Sequence, residues 1–125
     1  MIDALFNDPN YLAGKKTLDA IALREQAIAS NIANLETPGY QRVDLAPSFK
    51  AELDRACAGG DAQQIAALKP TLAADTSAVP NGRDGNTVNL ENEMMQLNQN
   101  TLANAVEDQV VSFSLVKLQL AITGK

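Results

Sequence analysis

The sequence of 125 residues contains no histidine, no tryptophan and one cysteine, Cys57. Without histidine, His-ligated zinc sites, Ser-His-Asp triads and Cys-His dyads are excluded. A lone cysteine cannot form an intramolecular disulfide bond, and its alanine neighbours favour a small buried thiol over a reactive one. Carboxylates such as Glu93, Glu107 and Asp108 have no second catalytic group beside them in the sequence. We therefore expect a protein without enzymatic activity, cofactor or metal.

Blocks of basic residues and long apolar runs are also missing. The net charge is −5 and Lys and Arg are scattered, which predicts no binding to nucleic acid or to anionic lipid. Polar residues interrupt the most apolar stretch, residues 110–122, and a membrane span needs about 20 apolar residues. We expect no direct membrane insertion. The first residues, with Asp3 and Asp8, lack the basic-then-apolar layout of a cleaved secretory signal.

Aromatic residues make up only 4% of a chain that is 46% apolar, which favours helices packed on helices. A first long helix is predicted from Pro9, with Asp8 as its N-cap, to about Asn34. Its apolar residues recur at steps of three and four on one side. They are Leu18, Ile21, Ile28, Ile32 and Leu35.

A second long helix is predicted near the other end of the chain. Asn89 is its expected cap, Glu91 and Glu93 lie in the first turn, where the helix dipole favours negative charge, and the helix ends near Gly124. Apolar residues with heptad-like spacing form its packing face. They are Met95, Leu102, Val106, Phe113, Val116 and Leu120, with a second row at Val110, Val111, Leu115, Leu118 and Ile122.

Residues 46–84 have a different character. A short helix is expected through Phe49, Leu53, Ala56 and Cys57, with its end at Gly59–Gly60, followed by another that Asp61 caps with Gln64. Residues 71–83 are predicted to be a linker, mobile in the isolated protein. The chain thus divides into residues 1–45, a variable and partly disordered middle of residues 46–84, and residues 85–125.

The fold class expected is all-α. The two terminal helices pair as an antiparallel coiled-coil-like hairpin, with short helices and irregular segments between them. Two helices leave part of their apolar surface uncovered, which suggests that another chain completes the packing. The pattern alone favours equally a four-helix bundle in which the short middle helices cover that face.

The first helix stops at a short string of helix-breaking residues. Thr37 precedes a proline, and Pro38–Gly39 suits the central positions of a type II turn. The whole stretch from Asn31 to Tyr40 resembles the signature of the flagellar axial family, N-[IL]-A-N-x-x-T-P-G-Y. That family contains rod, hook and hook-associated proteins.

A second stretch resembles one branch of that family. Residues 84–94 are similar to the D-G-N-x-V-x-[LI]-x-x-E-M segment that opens the C-terminal helix in a group of proximal-rod proteins. The neighbouring FlgC group is the alternative. The motif residues are Asn31, Ile32, Asn34, Thr37, Pro38, Gly39, Tyr40, Asp84, Gly85, Asn86, Val88, Glu93 and Met94.

The resemblance implies a structural subunit of the bacterial flagellar basal-body rod. Such subunits pass through the flagellar type III export apparatus without a cleaved signal peptide and assemble in the periplasm. Expected partners are further copies of the chain, FlgC-like subunits, a FliE-like adaptor and FlgF-like or FlgG-like rod proteins. A soluble helical adaptor or chaperone, which binds a partner helix in a groove, is the alternative from the residues alone.

Several polar residues have two possible roles at this stage. Asn31 and Asn34 bond either to neighbouring subunits or to their own helix end, and Tyr40 packs either on its own chain or on the next subunit. The amide side chains of the second helix either form contacts between subunits or lie on a face exposed to solvent. These are Gln96, Asn98, Gln99, Asn100 and Asn104.

Overall fold

A computed structural model describes residues 6–124, which are mostly helical with long helices towards both ends. The helical class and both long helices agree with the prediction, and a small two-stranded sheet is an addition to it. In chain order the elements are α1 (Pro9–Ala33), β1 (Val43–Leu45), α2 (Ser48–Gly59), α3 (Ala62–Ala67), β2 (Leu72–Ala74) and α4 (Leu90–Thr123).

The ends of α1 confirm the predicted boundaries. The Asp8 side chain accepts a hydrogen bond of 3.1 Å from the backbone N–H of Asn10, and Pro9 occupies the first position, where no N–H is required. Asn34 is the C-cap residue.

The ends of α4 also lie where the sequence places them. Asn89 accepts a hydrogen bond of 3.1 Å from the backbone N–H of Asn92, and Gly124 ends the helix with a φ of 67°. Within residues 6–124, no helix combines the length and the apolar character needed to cross a membrane.

The contacts between α1 and α4 run in opposite order along the two helices. Arg24 contacts Gln96, the Asn100 side chain donates to the Ile21 carbonyl, and Gly14 lies against Val111. At Gly14 a Cβ atom would stand 2.7 Å from Val111 Cγ2, so glycine permits this close approach. On the α4 side, polar residues and Val111 make these contacts.

The middle helices α2 and α3 pack on α1. Phe49 and Leu53 of α2 and Ile65 of α3 form a buried cluster with Ala20 of α1. They leave the apolar face of α4 exposed, so the four-helix bundle in which they cover that face is wrong.

The face of α2 differs from the prediction at one residue. Phe49, Leu53 and Ala56 point inward, but Cys57 is exposed. At about 100° per residue, Cys57 lies at the edge of the face that the three buried residues define, and it is on the solvent side of that edge. The prediction of a buried thiol is wrong, whereas Gly60, with a φ of 65°, caps the helix end as predicted.

Strand β2 lies inside the segment predicted to be a linker. It pairs antiparallel with β1, in the register Val43 with Ala74 and Leu45 with Leu72. The linker prediction missed it because Leu72–Ala74 is short, wholly exposed and without alternation of polar and apolar residues. Its order comes from pairing with β1, which no local pattern indicates.

Candidate functional site

The turn after α1 has the predicted type II geometry. The backbone N–H of Tyr40 donates to the Thr37 carbonyl at 3.2 Å, with Pro38 and Gly39 between them. Gly39 has a φ of 71°, which a type II turn requires at this position and which residues with a Cβ atom rarely adopt.

The second motif lies directly against this turn. The Gly39 N–H donates to the Asp84 carbonyl at 2.7 Å, and the Thr87 N–H donates to the Tyr40 carbonyl at 3.0 Å. A Cβ atom at Gly85 would lie 3.7 Å from the Gly39 Cα atom, so the two glycines allow the backbones to touch. The two sequence motifs therefore form one structural unit.

Asn86 joins the two motifs through its side chain, which is buried. Its Nδ2 atom lies within 3.0 Å of the carbonyl oxygens of Asn34, Leu35 and Thr37, and its Oδ1 atom accepts from the Val88 N–H at 2.7 Å. These carbonyls belong to the residues that follow α1, where the helical hydrogen-bond pattern has ended. Asn86 supplies partners for them from a segment that is distant in sequence.

The Asn31 side chain also forms hydrogen bonds with backbone groups, in this case those of Val43 in β1. Its Nδ2 atom donates to the Val43 carbonyl at 2.8 Å, and its Oδ1 atom accepts from the Val43 N–H at 2.9 Å. This is the pattern that a neighbouring strand would make. The same Nδ2 atom lies 3.2 Å from Glu93 Oε2, so α1, β1 and α4 meet at this buried side chain.

Asn34 and Tyr40 also bond within their own chain. Asn34 Nδ2 donates to the Ser30 carbonyl at 2.8 Å. The Tyr40 hydroxyl lies 3.1 Å from the Ser30 hydroxyl and donates to Asn31 Oδ1 at 3.3 Å. Of the two roles considered from sequence, all three residues have contacts of the intrachain kind.

A buried arginine forms the centre of the site. Arg42, with 7% of its side chain exposed, donates to Glu93 Oε1 at 2.7 Å and to Asp75 Oδ2 at 2.5 Å. It also lies 3.3 Å from Asp44 Oδ2 and donates to Gln96 Oε1 at 3.0 Å. Glu93 is fully buried, so this guanidinium is its compensating charge.

The carboxylates keep Arg42 charged. Burial acts to lower the pKa of its guanidinium, but hydrogen bonds to Glu93 and Asp75 outweigh burial and raise it. The pKa of Asp75 is lowered, first by the hydrogen bond from the Ser77 hydroxyl and further by Arg42, against an opposing effect of burial. Arg42 and Asp75 therefore form an ion pair at neutral pH.

The cluster is complete without a ligand. Arg24 extends it by donating to Asp44 Oδ1 at 3.1 Å and to Gln96 Oε1 at 3.2 Å. Across residues 6–124, every buried side-chain nitrogen or oxygen has a hydrogen-bond partner. In the same part of the chain, no group of acidic or cysteine side chains is arranged to hold a metal ion. This cluster links α1, β1, the end of β2 and α4, and we call it the clasp. Its residues are Arg24, Arg42, Asp44, Asp75, Glu93 and Gln96.

Sequence reasoning found Glu93 but missed the residues around it. Arg42, Asp44 and Asp75 were not singled out, and Glu93 was predicted as a motif residue in the first turn of the helix, without an ion-pair partner. One signal was available, since Arg42 and Asp44 alternate with Val43 and Leu45. In an extended segment, residues two apart lie on the same face, so this alternation places the charges of Arg42 and Asp44 within reach of each other.

The predicted packing residues fall into two groups. In the α1 series, Ile21 and Ile28 are buried and the others are half-buried. The six residues of the α4 series are all exposed, by 50–66%, and we call them the apolar strip. They are Met95, Leu102, Val106, Phe113, Val116 and Leu120.

The remaining predicted site residues are divided between core and surface. Val88 is buried, Ile32 is half-buried, and Pro38 and Met94 are exposed. Among the amides of α4, Asn100 is buried and Gln96 half-buried. The exposed amides are Asn98, Gln99 and Asn104.

The comparison with known proteins identifies the class first. The family described as "Flagella basal body rod protein" matches residues 16–41, which contain most of α1 and the turn after it. This segment, which holds the first of the two motifs, is thus similar to flagellar basal-body rod proteins, a class of structural subunits and not of enzymes.

Longer similarities identify the branch. Flagellar basal body rod protein FlgB of Escherichia coli (strain K12) is 33% identical over 105 residues, 70% of this chain and 74% of the relative. FlgB of Cereibacter sphaeroides (strain ATCC 17029) is 33% identical over 117 residues, 85% of this chain and 90% of the relative. FlgB of Borrelia hermsii is 31% identical over 103 residues, 68% of this chain and 74% of the relative. The chain belongs to the FlgB family.

Proposed function

We propose that this rod subunit assembles through the apolar strip of α4, which neighbouring subunits cover in the rod. The observation that carries the proposal is the exposure of all six strip residues, of which Leu102 is 66% exposed and Phe113 64%. Exposed large apolar side chains aligned along one side of a helix mark a site of protein association. Packing of the strip on neighbouring helices would complete the coiled-coil-like layer that its heptad spacing predicts.

The position of the strip on α4 supports this proposal. Glu93, Asn100 and Glu107 follow each other at seven-residue steps and lie on the side that faces α1. At about 100° per residue, Leu102 and Phe113 lie roughly half a turn around the helix from that side. The strip therefore points away from α1 and is accessible to another molecule.

The energetics favour several contacts over one. Full burial of a large apolar side chain is worth roughly 1.5–3 kcal/mol, so the exposed half of six such side chains amounts to about 5–9 kcal/mol. Association costs about 4–15 kcal/mol in lost freedom. A single contact is thus marginal, and a lattice in which each subunit meets several neighbours is favoured.

The family supplies the setting for the proposal. We infer a place in the proximal rod, in the periplasm, after passage through the flagellar export apparatus. The neighbours would be copies of this chain, FlgC-like subunits, a FliE-like adaptor and FlgF-like or FlgG-like rod proteins. The terminal helices would form the inner layer, with the variable segment 46–84 facing outward.

The test places charge on the strip. We expect Val116→Lys with Leu120→Lys to leave expression and folding intact, because both residues are about half exposed. The cells should be non-motile, and purified basal bodies should lack rods. The matched control is Ser112→Lys with Gln119→Lys, two exposed positions on the same turns but off the strip. Motile cells carrying the strip variant would refute the proposal.

A further inference from the structure

An open rod restricts what the apolar strip can contact. If the strips of two copies packed on each other around a twofold axis, the contact would close into a dimer and growth would stop. A helical polymer needs a heterologous contact, in which the strip of one copy meets a different surface of the next. This reasoning rests on the proposed function and directs attention to other apolar surfaces of the chain.

A groove between α1, α2 and α4 has the required character. It encloses about 410 Å³, and its floor is formed largely by apolar side chains. They are Ala20, Ile21, Leu45, Phe49, Leu53 and Ala103. Three charged side chains, Arg24, Lys50 and Asp54, lie on its lining, and Arg24 is already paired with Asp44.

We propose that this groove receives the last turns of α4 from the neighbouring copy. An amphipathic helix enters an apolar groove through side chains at positions i, i+3 and i+7. Phe113, Val116 and Leu120 have that spacing and are all at least half exposed. They lie beyond the part of α4 that contributes Gln99, Asn100 and Ala103 to its own groove.

The charges on both sides define an orientation. Lys117 lies between Val116 and Leu120 in sequence and is the single charged residue between positions 109 and 124. Lys117 would form an ion pair with Asp54 of the neighbouring copy. The carbonyl end of the incoming α4 carries a partial negative charge and would lie next to Lys50. Both pairs form together when the incoming helix runs antiparallel to α2. In that register Cys57, one turn beyond Asp54, lies near the strip around Gln109 and Phe113.

The exposed Cys57 makes the register testable by cross-linking. Gln109→Cys places a thiol on the strip without changing an anchor residue. Basal bodies from cells with this variant as their sole copy are treated with a short bismaleimide and separated on a denaturing gel. Because every copy carries both thiols and the contact is heterologous, we expect a ladder of multimers. Ser112→Cys, a quarter turn off the strip, should give at least about fivefold less multimer.

The combination of Cys57→Ser with Gln109→Cys separates the alternatives. The groove contact requires Cys57, so the ladder should disappear in this variant. Dimers that persist without Cys57 would show that strips pack on each other and would overturn the proposal. Intramolecular links alone, or no links, would overturn it as well.

A charge exchange tests the proposed orientation independently. Asp54→Lys should lower the multimer yield by up to about fivefold, the range expected for losing one exposed ion pair. Adding Lys117→Glu should restore the yield, which a merely structural role of Asp54 would not allow. No change with Asp54→Lys, or no restoration, would refute the pairing. Absence of the ladder, with the Val116→Lys and Leu120→Lys cells still non-motile, would reject the groove and leave the proposed function intact.

Discussion

The two halves of α4 differ in how they use a single helix. In the first half, up to Glu107, Glu93 and Asn100 are buried and bonded to other elements. The apolar strip runs along both halves, but in the second half, up to Gly124, no residue is fully buried. Polar side chains, together with Val111, therefore fix the helix to its own chain, whereas the apolar strip remains available for other subunits.

This division has a physical advantage for a protein that assembles from monomers. A buried polar group requires a particular partner, so a helix that shifted along α1 would leave Glu93 or Asn100 unpaired. An apolar face tolerates many partners. If the apolar residues of α4 packed on α1, the monomer would have little surface left for assembly.

The largest expected loss of stability comes from removing the buried charge that pairs with Glu93 in the first half of α4. Arg42→Met leaves Glu93 as an uncompensated buried charge, which costs about 3–5 kcal/mol of unfolding free energy. Urea denaturation followed by helical circular dichroism measures the loss. A loss below about 1 kcal/mol would mean that the clasp does not hold the fold together.

Two companion variants sharpen the interpretation. Arg42→Met with Glu93→Leu removes both charges, and most of the lost stability should return, because apolar replacements of a buried ion pair are often neutral. Arg55→Met removes an exposed arginine on α2 and should change stability by less than about 0.5 kcal/mol.

The next effect concerns the close contact between Gly14 of α1 and Val111 in the second half of α4. Gly14→Ala puts a Cβ atom 2.7 Å from Val111 Cγ2, so we expect a loss of about 1–3 kcal/mol from overpacking. In an open helix the same change would instead stabilise by up to about 1 kcal/mol. Gly59→Ala is the control, because a Cβ atom there meets nothing within 4 Å. Adding Val111→Ala should recover the loss, and a stabilised Gly14→Ala protein would contradict this packing.

A smaller effect should appear in the pH dependence of stability. The pKa of Asp75 is lowered in the folded chain, so its contribution is present above the unfolded pKa, about 4, and is lost as pH falls through the folded value. Asp75→Asn should therefore lower stability at neutral pH and flatten the acid limb of the stability curve. Ser77→Ala, which removes the largest cause of the shift, should flatten it partly. An unchanged acid limb in both variants would exclude this linkage.

The helices and the turn after α1 were easier to predict from the sequence than the polar contacts of α4. Caps at Asp8, Asn89 and Asp61, together with apolar periodicity, were sufficient to define the helices, because these signals are local. The turn at Pro38–Gly39 followed from conformational preferences of two adjacent residues. These features need no knowledge of distant parts of the chain.

The clasp could not be predicted in the same way. Asp75 and Glu93 lie 33 and 51 residues away from Arg42 in the sequence, and no local pattern links the three side chains. Strand β2 has the same limitation, because its pairing with β1 depends on how α2 and α3 fold between them. Cys57 was misplaced because a helix with few apolar residues leaves the edges of its buried face undefined.

The smallest expected effect tests the apolar half with a matched pair of phenylalanines. Phe113→Ala should change the unfolding free energy of the monomer by less than about 0.5 kcal/mol, because Phe113 is 64% exposed and alanine favours the helix. Phe49→Ala should cost about 3–5 kcal/mol, because Phe49 is only 5% exposed and a cavity would remain. Urea denaturation of both variants measures the difference, and rod assembly in cells should nevertheless be impaired by Phe113→Ala. A large loss of monomer stability with Phe113→Ala would mean that the strip is covered within its own chain, and the contrast between the two halves of α4 would not hold.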